Sequence, residues 1–184
     1  MSDPGTRLVI MSATASEVST VRGSLQTPVG VLTVVADDEG IRSIGWRHRP
    51  GTLGNDGSPA AGHVAAGLSQ LAAYFAGKRT AFDLPIRLTG VGDAGRAVLT
   101  ALHDTVGYGE TVTYGELAAR SGTTVPARAI GSIMGSNPVP VVIPCHRVVA
   151  SDGLGGYSGG EPGRGRQTKL WLLEHEGALP PTLL

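Results

Sequence analysis

One cysteine, Cys145, stands alone in 184 residues. That scarcity excludes an intramolecular disulfide and a multi-cysteine zinc site, and it suits a reducing compartment in which a free thiol survives. Net charge is missing too: 15 Lys and Arg balance 15 Asp and Glu, for a pI near 7.0. Taken as a whole, such neutrality argues against a nucleic-acid binder, because phosphate contacts need a local excess of Lys and Arg. No apolar run approaches the roughly 18 residues of a membrane helix, and residues 8–11 are too short for a signal-peptide core. A soluble, cytoplasmic protein with no membrane attachment is expected. The histidines His48, His63 and His103 are scattered without the spacing of metal ligands, so no metal site is expected.

What is present is unevenly placed. Between residues 114 and 169, Arg120, Arg128, Arg147, Arg164, Arg166 and Lys169 are opposed only by Glu116, Asp152 and Glu161. This segment therefore carries a basic excess that the whole chain lacks.

With 41% apolar residues the chain can fill an ordinary core, as one compact protein or two small subdomains. A division near residue 90 is expected, with an α/β subdomain over residues 1–90 and a mostly α domain over 91–184. Up to about residue 21 the chain is rich in Ser, Thr, Ala and Gly without periodicity, and a frayed start is expected. Residues 24–36 read as strand with a bend at Thr27-Pro28-Val29-Gly30. Beyond the Asp37-Asp38-Glu39-Gly40 turn, Ile41, Ile44 and Trp46 continue as the second arm of a hairpin. Residues 47–62 read as a polar Gly/Pro-rich loop with nothing for the core. Val64, Leu68, Leu71 and Phe75 recur at helical spacing up to Gly77. Residues 82–88 look extended, and Val98, Leu99, Leu102 and Val106 predict a second amphipathic helix stopped at Gly107.

From Thr113 the signals sharpen. Thr113-Tyr114-Gly115-Glu116 forms a capping box, in which a hydroxyl caps the helix start and a carboxylate three residues on reaches back. A break at Ser121-Gly122 follows, and Pro126 suits the first position of the next helix, with Ala129, Ile130, Ile133 and Met134 on its apolar side. Two short helices and a tight turn make a helix-turn-helix, which enters a DNA groove in some proteins and is a plain helical hairpin in others. Both readings stay open on the pattern alone. An extended run over residues 139–143 leads to Cys145, and a last helix over residues 167–176 buries Leu170, Leu172 or Leu173 beside Trp171 before Gly177.

A thiol is a strong nucleophile only as thiolate, a form that neighbouring imidazole and cationic groups favour. Cys145 lies in Pro144-Cys145-His146-Arg147, behind Asn137-Pro138-Val139-Pro140 and ahead of Tyr157-Ser158-Gly159-Gly160. These separated elements resemble the active-site signature of the O6-alkylguanine-DNA alkyltransferases, the methylated-DNA–protein-cysteine methyltransferases. The likeness is clear over residues 68–177 and faint before Pro28. It implies an N-terminal ribonuclease H-like sheet, a C-terminal winged-helix-like DNA-binding domain, and stoichiometric transfer of an alkyl group from flipped O6-alkylguanine, or O4-alkylthymine, to the thiol. No cofactor is implied. The implied partner is double-stranded DNA carrying the damaged base, met by a monomer whose cooperation along DNA stays open.

Residue by residue, the resemblance gives Cys145 as nucleophile, His146 as the base that deprotonates it through a bound water, and Glu176 as the group orienting the imidazole. Tyr114 matches the phenol that donates toward the guanine ring nitrogen, and Ser158 the donor toward O6. Donors aimed at developing charge are often the largest catalytic contribution. Arg128 matches the finger that fills the space of the extruded base, with Ala129 and Gly131 beside it on the DNA-facing helix. Asn137 matches the residue tying that helix to the cysteine segment, Tyr157 and Val148 complete the substrate-binding group, and Arg147 reads as structural.

Two departures stand out. Residues 161–168, between the Gly159-Gly160 turn and the last helix, are longer than the family pattern, and their Gly and Pro content reads as loop, not helix extension. Arg164 and Arg166 within it are expected to reach DNA. Residues 91–96 lack the usual aromatics. Among other classes, a non-catalytic damage binder is disfavoured by Cys145. A regulator with a four-cysteine zinc domain is excluded by cysteine count, and a cysteine hydrolase would have no use for a DNA-reading helix.

Overall fold

The computed structural model describes residues 19–47, 52–54 and 57–180, so the N-terminal segment expected to fray and His48 lie outside the described residues. A four-stranded sheet opens the chain, in the order β3-β2-β1-β4. β1 (Val21–Thr27) and β2 (Gly30–Asp37) pair antiparallel with Thr27 opposite Gly30. The expected bend in one strand is therefore a two-residue hairpin turn. Pro28 pre-sets its backbone, and Thr27 Oγ1 accepts from Val29 N at 3.2 Å while donating to the Gly30 carbonyl at 2.5 Å. β3 (Gly40–Gly45) pairs antiparallel with β2, as the hairpin reading predicts.

The described residues among 47–62 are more structured than the composition of this stretch suggests. β4 (Thr52–Leu53) adds parallel to β1. α1 (Pro59–Phe75) begins inside this stretch, with Ser58 Oγ accepting from Ala61 N at 3.2 Å and Ala60 already buried. A two-residue strand has no alternation to read, and the first turn of α1 carries no large apolar residue. α1 lies across the sheet, and Gly67 allows its backbone close to Val34 and Ile41.

The second half is mostly helical. α2 (Asp93–Thr105) buries Val98, Leu99 and Leu102. β5 (Val112–Thr113) leads into α3 (Tyr114–Arg120), whose capping box is complete: Thr113 Oγ1 accepts from Glu116 N and Glu116 Oε2 accepts from Thr113 N at 2.8 Å. α4 (Ala127–Gly135) starts one residue later than expected, because Pro126 keeps an extended ψ and is the cap instead of the first helical residue. A 3-10 turn (Cys145–Arg147) precedes β6 (Val148–Val149), which pairs parallel with β5. α5 (Gly165–His175) closes the fold. Its start corrects the reading of residues 161–168 as loop: residues 165–168 are the first turn of the helix.

One apolar core joins the halves, running from Leu32, Val34 and Ile44 of the sheet through Leu71 and Tyr74 to Leu99, Leu117, Ile130 and Leu172. Burying a side chain of this size contributes roughly 1.5–3 kcal/mol. The seam is also held by backbone, with Ile44 N donating to the Pro138 carbonyl at 2.9 Å. No helix among the described residues is long and apolar enough to cross a membrane.

Candidate active site around Cys145

The segment before Cys145 was expected to be extended and is instead a tight buried turn, closed by Ile143 N donating to the Val139 carbonyl at 2.9 Å. A run of β-branched residues reads the same whether strand or buried turn. Val141 adopts φ 75°, a left-handed conformation that costs a β-branched residue on the order of 1–3 kcal/mol. Burial of Val139, Val141, Val142 and Ile143 holds it there. Asn137 locks the turn from inside: its Oδ1 accepts from Val139 N at 3.0 Å and its Nδ2 donates to the Ile143 carbonyl at 2.8 Å. The Asn137 side chain also faces the Cys145 thiol and favours its ionised form.

Cys145, His146 and Arg147 are all buried, and the last two turn toward Glu176, which ends α5. His146 Nε2 lies 2.8 Å from Glu176 Oε1. Arg147 Nε donates to Oε2 at 2.8 Å, its Nη2 to Oε1 at 3.0 Å, and its Nη1 to the Val106 carbonyl at 2.7 Å. Burial pushes the Glu176 carboxyl upward, but the hydrogen bonds and charge of His146 and Arg147 outweigh it and hold the group well below the usual carboxylate range. An ionised carboxylate only accepts, so His146 carries a proton on Nε2. Burial lowers the imidazole's own pKa and favours the neutral ring, despite the opposing pull of Glu176. The neutral ring then presents its lone pair at Nδ1, which is buried and bonded to no protein group.

Burial raises the thiol's pKa, against contacts with Asn137 and Tyr157 and the nearby charge of Lys169. Lys169 is itself buried, and desolvation brings its ammonium down to about 8, with Cys145 opposing. Its Nζ donates to the Val148 carbonyl at 2.6 Å and the Gly156 carbonyl at 3.0 Å. A thiol with a neutral imidazole on the next residue and a buried cation nearby is equipped to ionise when its proton has somewhere to go.

Two cavities meet at Cys145, Met134, Gly135 and Ser158. One, of about 250 Å³, is walled by Tyr114, Gly131, Gly156 and Tyr157. The other, of about 260 Å³, is walled by Asn137, Pro140 and Gly160 and roofed by Trp46 and Arg47 from the end of the sheet. Tyr114 points its hydroxyl at the Gly156 carbonyl at 3.5 Å, and Gly155 makes room: at φ 70°, a Cβ there would sit 3.1 Å from that hydroxyl. Ser158 Oγ reaches the Gly135 carbonyl at 3.4 Å. The Tyr157 hydroxyl is buried beside the thiol without a well-formed hydrogen bond to any group.

Cys145, His146, Glu176, Tyr114, Asn137, Tyr157 and Ser158 thus gather in one place. Val148 lines neither cavity: its side chain is in the core and its carbonyl accepts from Lys169 Nζ. Arg128, Gly131, Ser132 and Gly135 form the exposed outer face of α4, with Ala129 half-buried beside it. Arg164 and Arg166 are exposed elsewhere. Arg164 lines a separate cavity of about 210 Å³ with Pro28, Glu161 and Trp171, so this region leans on the β1–β2 turn and not on the pocket containing Cys145. His63 touches the Asp38 carbonyl and His103 pairs with Asp104, both at the surface. Among the described residues no His, Cys, Asp or Glu cluster could hold a metal ion.

Lys169 and Tyr74 were missed from sequence. A signal for Lys169 existed, since it lies three and four residues before the buried Leu172 and Leu173 and therefore on the inner face of α5. Nothing local marks Tyr74, which reaches Glu176 from 102 residues away.

Comparison with known proteins agrees with this arrangement. Residues 20–88 match the 6-O-methylguanine DNA methyltransferase, ribonuclease-like domain, and residues 93–178 match the 6-O-methylguanine DNA methyltransferase, DNA binding domain. The methylated-DNA–protein-cysteine methyltransferase of Salmonella typhimurium is 41% identical over 167 residues, covering 84% of this chain and 94% of that protein. The Mycolicibacterium paratuberculosis protein of the same name is 40% identical over 141 residues, covering 74% of this chain and 83% of that protein. The crystal structure of Mycobacterium tuberculosis OGT in complex with DNA superposes with a TM-score of 0.72 at 34% identity, covering 88% of this chain and 96% of that one. The expected architecture, a ribonuclease-like sheet followed by a helical DNA-binding half, is the one observed. The chain belongs to the 6-O-methylguanine DNA methyltransferase family.

Proposed function

We propose that this chain repairs O6-alkylguanine in double-stranded DNA by moving the alkyl group onto Cys145, once per molecule. The observation that carries the reading is the buried relay in which Glu176 fixes His146 as the Nε2–H tautomer, leaving a basic, protein-unbonded Nδ1 on the residue that follows the chain's one thiol. The Cys145 proton passes to His146 by way of a bound water, and the thiolate attacks the alkyl carbon in line. A C–S bond forms as the C–O6 bond breaks, and guanine leaves with its charge relieved by proton donation from Tyr114 and hydrogen bonding from the Ser158 turn. The thioether does not revert, so the protein is consumed. No turnover step is needed to regenerate the thiol.

The damaged base enters from the side of α4. Glycines at 131 and 135 leave the outer face of that helix low, and Arg128, exposed and without a hydrogen bond or ion pair among the described residues, is free to enter the duplex as the base swings out. Ala129 and Gly131 meet the DNA. On this reading the chain divides near residue 90 and acts on DNA as a monomer.

Incubation with O6-methylguanine duplex and intact-mass measurement tests the reading. One permanent methyl group per chain is expected, and none in Cys145→Ser, which should keep its DNA affinity within a small factor. Methyl transfer by the serine variant overturns the assignment. Arg128→Ala should slow transfer from duplex far more than from free O6-benzylguanine, and equal slowing would remove Arg128 from the flipping step.

A further inference from the structure

The carboxylate that orients His146 is not held by its own half of the molecule alone. Tyr74, in α1 against the sheet, donates its hydroxyl to Glu176 Oε1 at 2.7 Å, the same oxygen that His146 Nε2 meets at 2.8 Å and Arg147 Nη2 at 3.0 Å. Both partners are buried, Tyr74 fully so, and water does not compete for the bond. Tyr74 is further fixed by packing on Phe75, Phe82, Tyr108 and His175, whose Nε2 lies 2.8 Å from the Tyr74 carbonyl.

We infer that Tyr74 is a positioning residue of the alkyl-transfer site: its hydroxyl shares Glu176 Oε1 with His146, and so sets both the aim and the basicity of the imidazole from the N-terminal half. The inference rests on the transferase reading for its consequence, but the contact itself does not. An oxygen shared among three donors gives less electron density to each. Taking the tyrosine hydroxyl away leaves Oε1 to His146 and Arg147, strengthens the bond to Nε2–H, and makes the protonated ring easier to form. The charged and titratable groups facing this cluster are Arg147 and Cys145 from the 3-10 turn, Lys169 and His175 from α5, Tyr108 from the loop after α2, and Tyr157. All remain in a Tyr74→Phe chain, so the change is confined to one hydroxyl.

The six-membered aromatic ring stays in Tyr74→Phe, which preserves the packing. Tyr108→Phe is the control, because its hydroxyl donates to the His175 carbonyl at 3.1 Å and not to the carboxylate. Reaction with free O6-benzylguanine, which needs no base flipping, is followed from pH 5 to 9 alongside nitrogen-15 spectra of the histidines. In Tyr74→Phe the acid limb of the rate profile should move alkaline by about half a unit or more, with the His146 Nε2–H resonance displaced, and neither should change in Tyr108→Phe. In the wild-type chain the Tyr74 hydroxyl proton should exchange slowly and show a nuclear Overhauser effect to His146 Nε2–H, a measurement that needs no variant to fold. An unmoved rate limb and resonance in folded Tyr74→Phe, or the absence of that Overhauser effect, overturns the inference. A wild-type chain that shows the effect yet takes up no methyl group from O6-methylguanine duplex instead overturns the transferase reading and leaves the contact standing.

Discussion

The two halves of this molecule use burial for opposite purposes. In the sheet half, Leu32, Val34, Ala36, Ile41 and Ile44 are buried as aliphatic surface against α1, and the buried Asp37 is answered by turn amides and by Arg87 at 3.1 Å. In the helical half, Cys145, His146, Arg147, Lys169 and Glu176 are withdrawn from water together. Charges removed from solvent are costly unless geometry compensates, and a hydrophobic replacement of such a cluster is often more stable. Both halves fill the shared apolar core, but the helical half also gives up some stability to hold a neutral imidazole and an ionisable thiol at adjacent positions away from water.

The largest effect should come from breaking the buried cluster on one side only. Arg147→Met removes three hydrogen bonds and leaves Glu176 under-compensated, with an expected loss of about 3–5 kcal/mol in urea unfolding. Leu32→Ala in the sheet should lose a similar ~2–5 kcal/mol by cavity formation, yet the folded fraction should react with O6-benzylguanine at the wild-type rate. A Leu32→Ala chain that folds but reacts slowly would erase the division between the halves.

A smaller effect is expected from pH. The folded pKa values of His146 and Glu176 both lie below their ordinary 6.5 and 4.5. In each case the unfolded chain binds the proton first as pH falls. Stability from these groups is therefore present above pH 6.5, lost from His146 as pH drops below 6.5, and lost from Glu176 below 4.5, at about 1.4 kcal/mol per unit of difference. Urea midpoints at pH 7, 5.5 and 4.5 should fall in that order, and a flat series would mean that the cluster is not closed to solvent.

The smallest effect concerns Arg164 and Arg166. Each phosphate neutralised adds about 0.9 to the salt slope of duplex binding. Arg164→Ala/Arg166→Ala is expected to flatten that slope by one to two units if both touch DNA. Because Arg164 leans toward the β1–β2 turn, a loss near one unit would assign the contact to Arg166 alone. No change would leave the segment without a DNA role.

Periodicity made the long elements legible: α1, α2 and the β2–β3 hairpin follow from spacing, and the α3 start from its capping box. Strands of two residues, such as β4, carry no such pattern. The run at residues 139–143 misled because apolar composition reports burial, and Val141 shows that burial can enforce a backbone that composition disfavours. At the site, the signature around Cys145 marked the local residues. Tyr74 and Lys169 act through folded geometry: one reaches across 102 residues, and the other looks in sequence like one more surface charge.

The seam has a further effect on the sheet itself. β3 is an edge strand, and an open edge offers a row of amides and carbonyls on which another chain can build. Here Ile41 N is taken by the Pro85 carbonyl at 2.7 Å, the Ile41 carbonyl by Arg87 N at 2.8 Å, and Ile44 N by the Pro138 carbonyl at 2.9 Å. Prolines at 85 and 138 supply acceptors while bringing no donor of their own to extend a ladder. The segment that leads to the reactive thiol thus also seals one margin of the sheet against strand addition, and a change that loosened Pro138 to widen the pocket would be expected to make the protein more prone to aggregate.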